Sequence, residues 1–159
     1  MYTCIHFLAS VFGPEFNRLD PTFCLDGLLP AGLHRATETE ALARFAVGTP
    51  ERKRLGRTVS HWLRLCRSAG SKRFFLNGSF VTAKEVPNDV DAVVWLGSDF
   101  AERITRGNVD AIVLAEILGT RADEHLFAAE DGRDWDDWID LFSRTNDPSV
   151  RKGLVEVML

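Results

Sequence analysis

Cysteine is scarce in this 159-residue chain: three residues, Cys4, Cys24 and Cys66, an odd number without metal-type spacing. That excludes a disulfide framework and a cysteine-bound zinc, and leaves free thiols in a reducing cytoplasm as the expectation. Excess positive charge is missing too. A net charge of -4 argues against a strongly basic nucleic-acid binder and leaves only a local patch, Arg52-Lys53-Arg54, for such a role. Long hydrophobic runs are absent. The apolar opening MYTCIHFLASVF lacks a basic leading segment and is too short to cross a bilayer, so no membrane partner is expected. It reads instead as an extra strand, an edge helix or an interface segment. What remains is the composition of a soluble globular protein, 45% hydrophobic and 26% charged, long enough for one domain with a real core.

The chain is organised around FFLNGSFVTAKEVPNDVDAVV, Phe74 to Val94. An apolar run ends at Gly78-Ser79, a spacer follows, and a second apolar run opens with Asp89-Val90-Asp91. In an extended strand residues i and i+2 share a face, so the two carboxylates are expected side by side with Val90 opposite. Their repulsion is costly unless a cation lies between them, and Mg2+, which favours carboxylate and phosphate oxygens, suits that place. Gly78 lets backbone approach a ligand closely, and the N–H groups opening the next helical turn can hold an anion. Lys84 in the spacer either reaches a phosphate or is a solvated loop charge. The plainer reading of Asn88-Asp89 after Pro87 is a solvated turn.

Gly78-Ser79, the spacer and Asp89-Val90-Asp91 followed by Ala92-Val93-Val94 resemble the signature of the nucleotidyltransferase superfamily, which includes DNA polymerase beta and the aminoglycoside nucleotidyltransferases. The similarity is to the minimal, single-domain members. More narrowly, LLPAGLHRAT at Leu28 to Thr37, GSFVTAKEVPNDVD and the tail from Trp138 with Arg151-Lys152-Gly153 resemble a bacterial and phage nucleotidyltransferase-like family of unknown function. The resemblance covers roughly Leu28 to Leu159. It implies an α/β (α+β) fold with a mixed central sheet of about four strands, preceded by an arm over residues 1–27. It also implies that a helix ending in Leu-Gly leads into a strand whose acid completes the metal site. Here Leu118-Gly119 is followed by His125-Leu126-Phe127, with histidine in the acid's place. Asp123 and Glu124 lie just upstream and Glu130 downstream; Glu124 is preferred, with Glu156 an outside candidate.

Local signals place the other elements. Residues 13–32 carry Pro14, Pro21 and Pro30 and read as an irregular arm pinned by Phe12, Phe16, Phe23 and Leu25. His34 reads as hydrogen-bonded scaffolding. Thr37-Glu38-Thr39-Glu40 is a capping box opening a helix to about Val47. Thr49-Pro50 opens a long helix to Gly70, with Leu55, Val59, Trp62, Leu63 and Cys66 on the apolar face and Arg52, Arg54, Arg57, Arg64 and Arg67 on the others. Strands are expected at Lys72 to Asn77, Asp89 to Trp95, His125 to Ala129 and Gly153 to Leu159. A short helix is expected over 79–84, and further helices over 99–106 and 109–118. Another carries Trp135, Trp138, Ile139 and Phe142, whose spacing indicates core packing over base stacking. Glu156 reads as an edge-strand charge among apolar neighbours.

Three functions follow as expectations. The resemblance implies an enzyme: Asp89 and Asp91 hold Mg2+, Gly78 and Ser79 hold the phosphates of an NTP, and an acceptor hydroxyl on a protein, RNA or small molecule attacks the alpha phosphorus. Minimal members are often half of a toxin–antitoxin or phage-defence pair, which brings in a small helical partner protein or a homodimer. The second reading is a binding module or inhibitory partner that retains the fold without transfer. The third is a purely structural protein whose aspartates are surface acids.

Overall fold

The structure, a computed structural model, describes residues 21–120 and 124–159. The expectations for the apolar opening, for Phe12 and Phe16, and for Asp123 lie outside those residues. Five strands and five α-helices follow the order β1 (Gly32–Ala36), α1 (Glu38–Phe45), α2 (Pro50–Ser68), β2 (Arg73–Asn77), β3 (Asp91–Trp95), α3 (Phe100–Thr105), α4 (Val109–Gly119), β4 (His125–Ala129), α5 (Gly132–Ser143) and β5 (Gly153–Val157). A single 3-10 turn, Ser79–Val81, follows β2.

The sheet runs β1-β5-β2-β3-β4. β1 and β5 are parallel, β5 and β2 antiparallel, β2 and β3 antiparallel, and β3 and β4 parallel. The expectation of about four strands is corrected to five. β1 is the addition: GLHRA is short, carries two polar residues and pairs only with β5, so nothing local announces it. β5 also departs from expectation, since it lies between β1 and β2 and not at an edge. All five of its residues are buried.

Helices α1 to α4 pack on one face and α5 on the other. Leu55, Val59, Leu63 and Cys66 of α2 and Ala111 and Leu114 of α4 meet Phe74, Leu76, Ala92, Val94, Val155 and Val157 of the sheet. Phe75, Val93 and Leu154 point the other way onto Trp135, with Trp138, Ile139 and Phe142 packed around them. This alternation is why β2 and β3 read as continuous apolar runs: both faces are covered. Burial pushes the Cys66 thiol up to about 12, consistent with an inert core residue. Trp138 donates its indole N–H to the Ala128 carbonyl at 3.1 Å, so α5 is fastened to β4 as well as packed on it.

Helix ends follow their sequence signals. The capping box closes as expected, with Thr37 Oγ1 accepting from Glu40 N at 3.2 Å and the Glu40 carboxylate accepting from Thr37 N at 2.7 Å. Thr49 Oγ1 accepts from Arg52 N at 3.3 Å, with Pro50 in the first turn. In the arm, Phe23 packs edge-on against Phe45, whereas Leu25 is fully exposed and pins nothing.

Candidate functional site

β2 and β3 are joined by the turn and spacer over 78–90, and the site is built at that end of the sheet. Gly78 has φ 84°, and a Cβ there would lie 3.0 Å from Asp91 N and 3.1 Å from both Asp89 O and Val90 Cα. Only glycine fits this backbone conformation and this close approach. The Gly-Ser turn therefore rests directly on the backbone that carries both aspartates. Ser79 completes the contact. Its Oγ accepts from Asn88 N at 2.8 Å and Asp89 N at 3.2 Å and donates to Asp89 Oδ1 at 2.5 Å; Ser79 N also donates to Asp89 Oδ1, at 3.1 Å.

The extended-strand picture of the two carboxylates is corrected in part. β3 begins at Asp91, so Asp89 sits in the turn and folds back onto Ser79. The N–H available to an anion at the start of the 3-10 turn is thus taken by the Asp89 carboxylate. Asp91 opens the strand opposite Asn77 of β2 and His125 of β4. Its side chain is 19% exposed and lies 3.7 Å from His125 Nδ1. Burial, and after it the Asp89 charge, push the Asp91 carboxyl above the usual carboxylate range, against the opposing pull of His125 and Lys152. The ionised form of Asp91 is therefore disfavoured, and a cation beside it would favour that form.

Two further residues face this end. Asn77 is 3% exposed, and its Oδ1 has no hydrogen-bond partner among the described residues. A buried polar atom left unpaired is uncommon, and here it stands directly across from Asp91. Lys152 is half-buried two residues before Leu154, on the sheet face that Leu154 and Glu156 share. Burial lowers its ammonium below the ordinary lysine value, while Asp91 and then Asp89 oppose that shift. The sequence reading missed both residues; the i, i+2 alternation from Leu154 and Glu156 back to Lys152 was the available signal.

The segment Arg151-Lys152-Gly153 is held on each side. Arg151 donates to Asp140 O at 2.9 Å and pairs with the Asp140 carboxylate at 3.0 Å. A Cβ at Gly153 would meet Pro30 O at 2.2 Å and His34 Nε2 at 2.7 Å. His34 is scaffolding, as read from the sequence, with Nε2 2.7 Å from the Pro30 carbonyl. These contacts explain physically why LLPAGLH and RKG appear in one chain.

The spacer is fastened from behind by Arg52, which corrects its placement on a solvated face. Its guanidinium is buried and donates to four carbonyls: Phe45 O at 2.8 Å, Phe80 O at 3.0 Å, Thr82 O at 2.9 Å and Lys84 O at 2.5 Å. Gly27 O accepts from Ala83 N at 2.8 Å and ties the arm to the same loop.

The remaining candidates do not join the carboxylate pair. Lys84 is exposed, with its backbone in the Arg52 clamp. Glu124 pairs with Arg54 of α2. Glu156 is buried and held by Arg73 Nε at 2.6 Å and Arg35 Nε at 3.3 Å. Among the described residues no group of three His, Cys, Asp or Glu side chains is assembled for a metal. An amide such as Asn77 lies outside that set. Asp89, Asp91 and the unpaired Oδ1 of Asn77 are hard-oxygen donors of the kind Mg2+ favours, with Asp89 turned onto Ser79 and Asp91 opposite Asn77. An open groove of about 420 Å3 between α1 and α2, lined by Leu42, Ala46 and Gly56, includes none of these residues. No helix among the described residues is long and apolar enough to cross a membrane.

Comparison with known proteins returns one family. No curated protein and no solved structure matches the chain. A family model described as a family of unknown function (DUF6932) matches residues 21–158, which takes in every strand and helix above. The chain belongs to that family, DUF6932.

Proposed function

We propose that the protein is a nucleotidyltransferase-like domain that binds an NTP with Mg2+ and transfers its nucleotidyl group to a hydroxyl acceptor. The observation that supports this reading is the packing of the Gly78-Ser79 turn on the backbone of Asp89 and Asp91, the two elements to which the resemblance gives phosphate and metal roles. Asp89 and Asp91 would hold the ion, which when bound supplies charge neutralisation for the phosphates and their polarisation toward attack. Ser79 N, which now donates to the Asp89 carboxylate, would be the donor to a phosphate oxygen if Asp89 held the ion instead. The acceptor oxygen would bond to the alpha phosphorus, the bond to pyrophosphate would break, and the acceptor proton would pass to a general base, a place that Glu124, preferred from the sequence but paired with Arg54, does not take. A protein, RNA or small molecule serves as acceptor. A paired toxin or phage-defence system, with a small helical partner or a second copy, is the setting that the resemblance favours.

The test is incubation of radiolabelled NTPs with the purified protein and cell extract, beside Asp89→Ala/Asp91→Ala. Label transferred by the native chain and lost in the double variant supports the proposal. Transfer that persists in the variant, or that never occurs across NTPs and acceptors, overturns it. A second reading, a binding module without transfer, is favoured by one observation: Glu124 is engaged by Arg54 and not held beside Asp91. Metal-dependent NTP binding without transfer is its signature.

A further inference from the structure

Lys152 and Asp91 lie at the same end of the sheet and on the same face, with Asp89 in the adjoining turn, yet no ion pair joins the lysine to either acid. The β5–β2 register pairs Leu76 with Val155 and Phe75 with Glu156. Continuing it by one residue, to the end of β2, sets Asn77 beside Leu154, two residues from Lys152. Lys152, Leu154 and Glu156 alternate onto one face, and Asn77, opposite Asp91, lies on the face of Phe75, the partner of Glu156. Gly153, wedged against Pro30 O and His34 Nε2, and Arg151, bound to Asp140, fix the backbone on both sides of the lysine. The Lys152 N–H donates to Ser143 O at 2.8 Å, anchoring the residue itself. Among the described residues no carboxylate makes an ion pair with its ammonium, although Asp91 and Asp89 are the acids whose charge reaches it. The buried Oδ1 of Asn77, without a hydrogen-bond partner among the described residues, belongs to the residue opposite Asp91.

A half-buried ammonium held apart from a half-buried carboxylate pair is an incomplete arrangement. Neither a bare anion nor a bare cation completes it, because each satisfies one side and is repelled by the other. A cation carrying a polyphosphate satisfies both: the metal meets the carboxylates and the phosphate tail meets the lysine. We infer that Lys152 is a phosphate-binding residue, and that this end of the sheet selects a metal–polyphosphate complex over either component alone. The inference rests on the metal role proposed for Asp89 and Asp91 and adds the group that takes the anion.

The test measures binding without catalysis. Mn2+ alone and Mn2+ with inorganic triphosphate are titrated into the native protein, Lys152→Met, Lys152→Arg and Asp89→Ala/Asp91→Ala, following free Mn2+ by electron paramagnetic resonance and triphosphate by calorimetry. Lys152→Met is expected to weaken the Mn2+–triphosphate complex by about tenfold or more, the worth of one charge-assisted hydrogen bond. The same variant should tighten Mn2+ alone by about threefold, because a like charge has been removed. Lys152→Arg should restore most of the triphosphate affinity. Opposite signs for the two ligands are the diagnostic result, since a merely structural lysine would weaken both or neither. Unchanged triphosphate binding in Lys152→Met, with Mn2+ binding that depends on the aspartates, overturns the role of Lys152 and leaves the metal reading standing. Absence of aspartate-dependent Mn2+ binding in native protein overturns both. Far-ultraviolet circular dichroism of each variant excludes misfolding as the cause.

Discussion

Arg52 shows how a single buried side chain can hold a loop in place. It sits one helical turn before Leu55 and two before Val59, on the stripe of α2 that faces the core, so its cation is buried. Among the described residues no carboxylate makes an ion pair with it. Four carbonyls, from Phe45 at the end of α1 and from Phe80, Thr82 and Lys84 in the spacer, accept its protons. Arg52→Met keeps the apolar length but leaves those carbonyls without donors, and should cost about 3 kcal/mol in urea unfolding. Arg52→Lys should recover only part of this, since an ammonium cannot span the fork. The spacing that made Leu55 and Val59 core residues also included Arg52. Residue type, which favours exposure for arginine, outweighed position in the sequence reading. Asp91 gives the opposite case, a charge the fold opposes. Its folded carboxyl lies above its unfolded value, so the folded state binds the proton more tightly. Stability therefore falls as pH rises from the ordinary aspartate value through the folded one. Asp91→Asn should raise the melting temperature of the metal-free protein at neutral pH, and thermal scans should show the difference vanish once acid protonates the native residue.

The turn after β2 illustrates what local signals do and do not disclose. Gly78-Ser79 and Asp89-Val90-Asp91 were readable because glycine, serine and a spaced acid pair each have a distinct backbone or charge role. Their contact was an expectation from resemblance, and the Gly78 geometry gives it a steric basis. Gly78→Ala has to accommodate a methyl at φ 84° against the backbone of Asp91 and Asp89. The expected loss is about 1–3 kcal/mol in denaturant unfolding, and the metal-dependent nucleotide binding proposed for this turn should be lost more completely than stability. The orientation of Asp89 was not readable. An extended strand would have aimed it with Asp91, but Pro87 and Asn88 bend the chain, and the carboxylate is captured by Ser79. Helices were the most legible elements, because caps and apolar stripes are encoded within a few residues. α1, α2 and α5 open on side chains that accept from their own first-turn N–H groups.

Across the molecule, what the sequence withheld was adjacency. β4 was readable to the residue, yet nothing in GLVEV states that it lies between β1 and β2, and nothing in GLHRA states that it pairs with β5. Glu156 was misjudged for that reason: an interior strand buries it, and Arg73 and Arg35 from the two neighbouring strands hold it. If β5 is the keystone of the sheet, a chain ended after Lys152 should lose cooperative unfolding altogether, as seen by tryptophan fluorescence in urea, and not merely unfold at lower denaturant. The pairing of Arg35 with Glu156 spans 121 residues of chain. On the ribosome β1 therefore waits, with its edge toward β5 unmet, until that stretch of chain has been made. Until GLVEV emerges, the nascent chain holds Leu76 and its neighbours without their partner, a long interval in which a holding chaperone has something to grip.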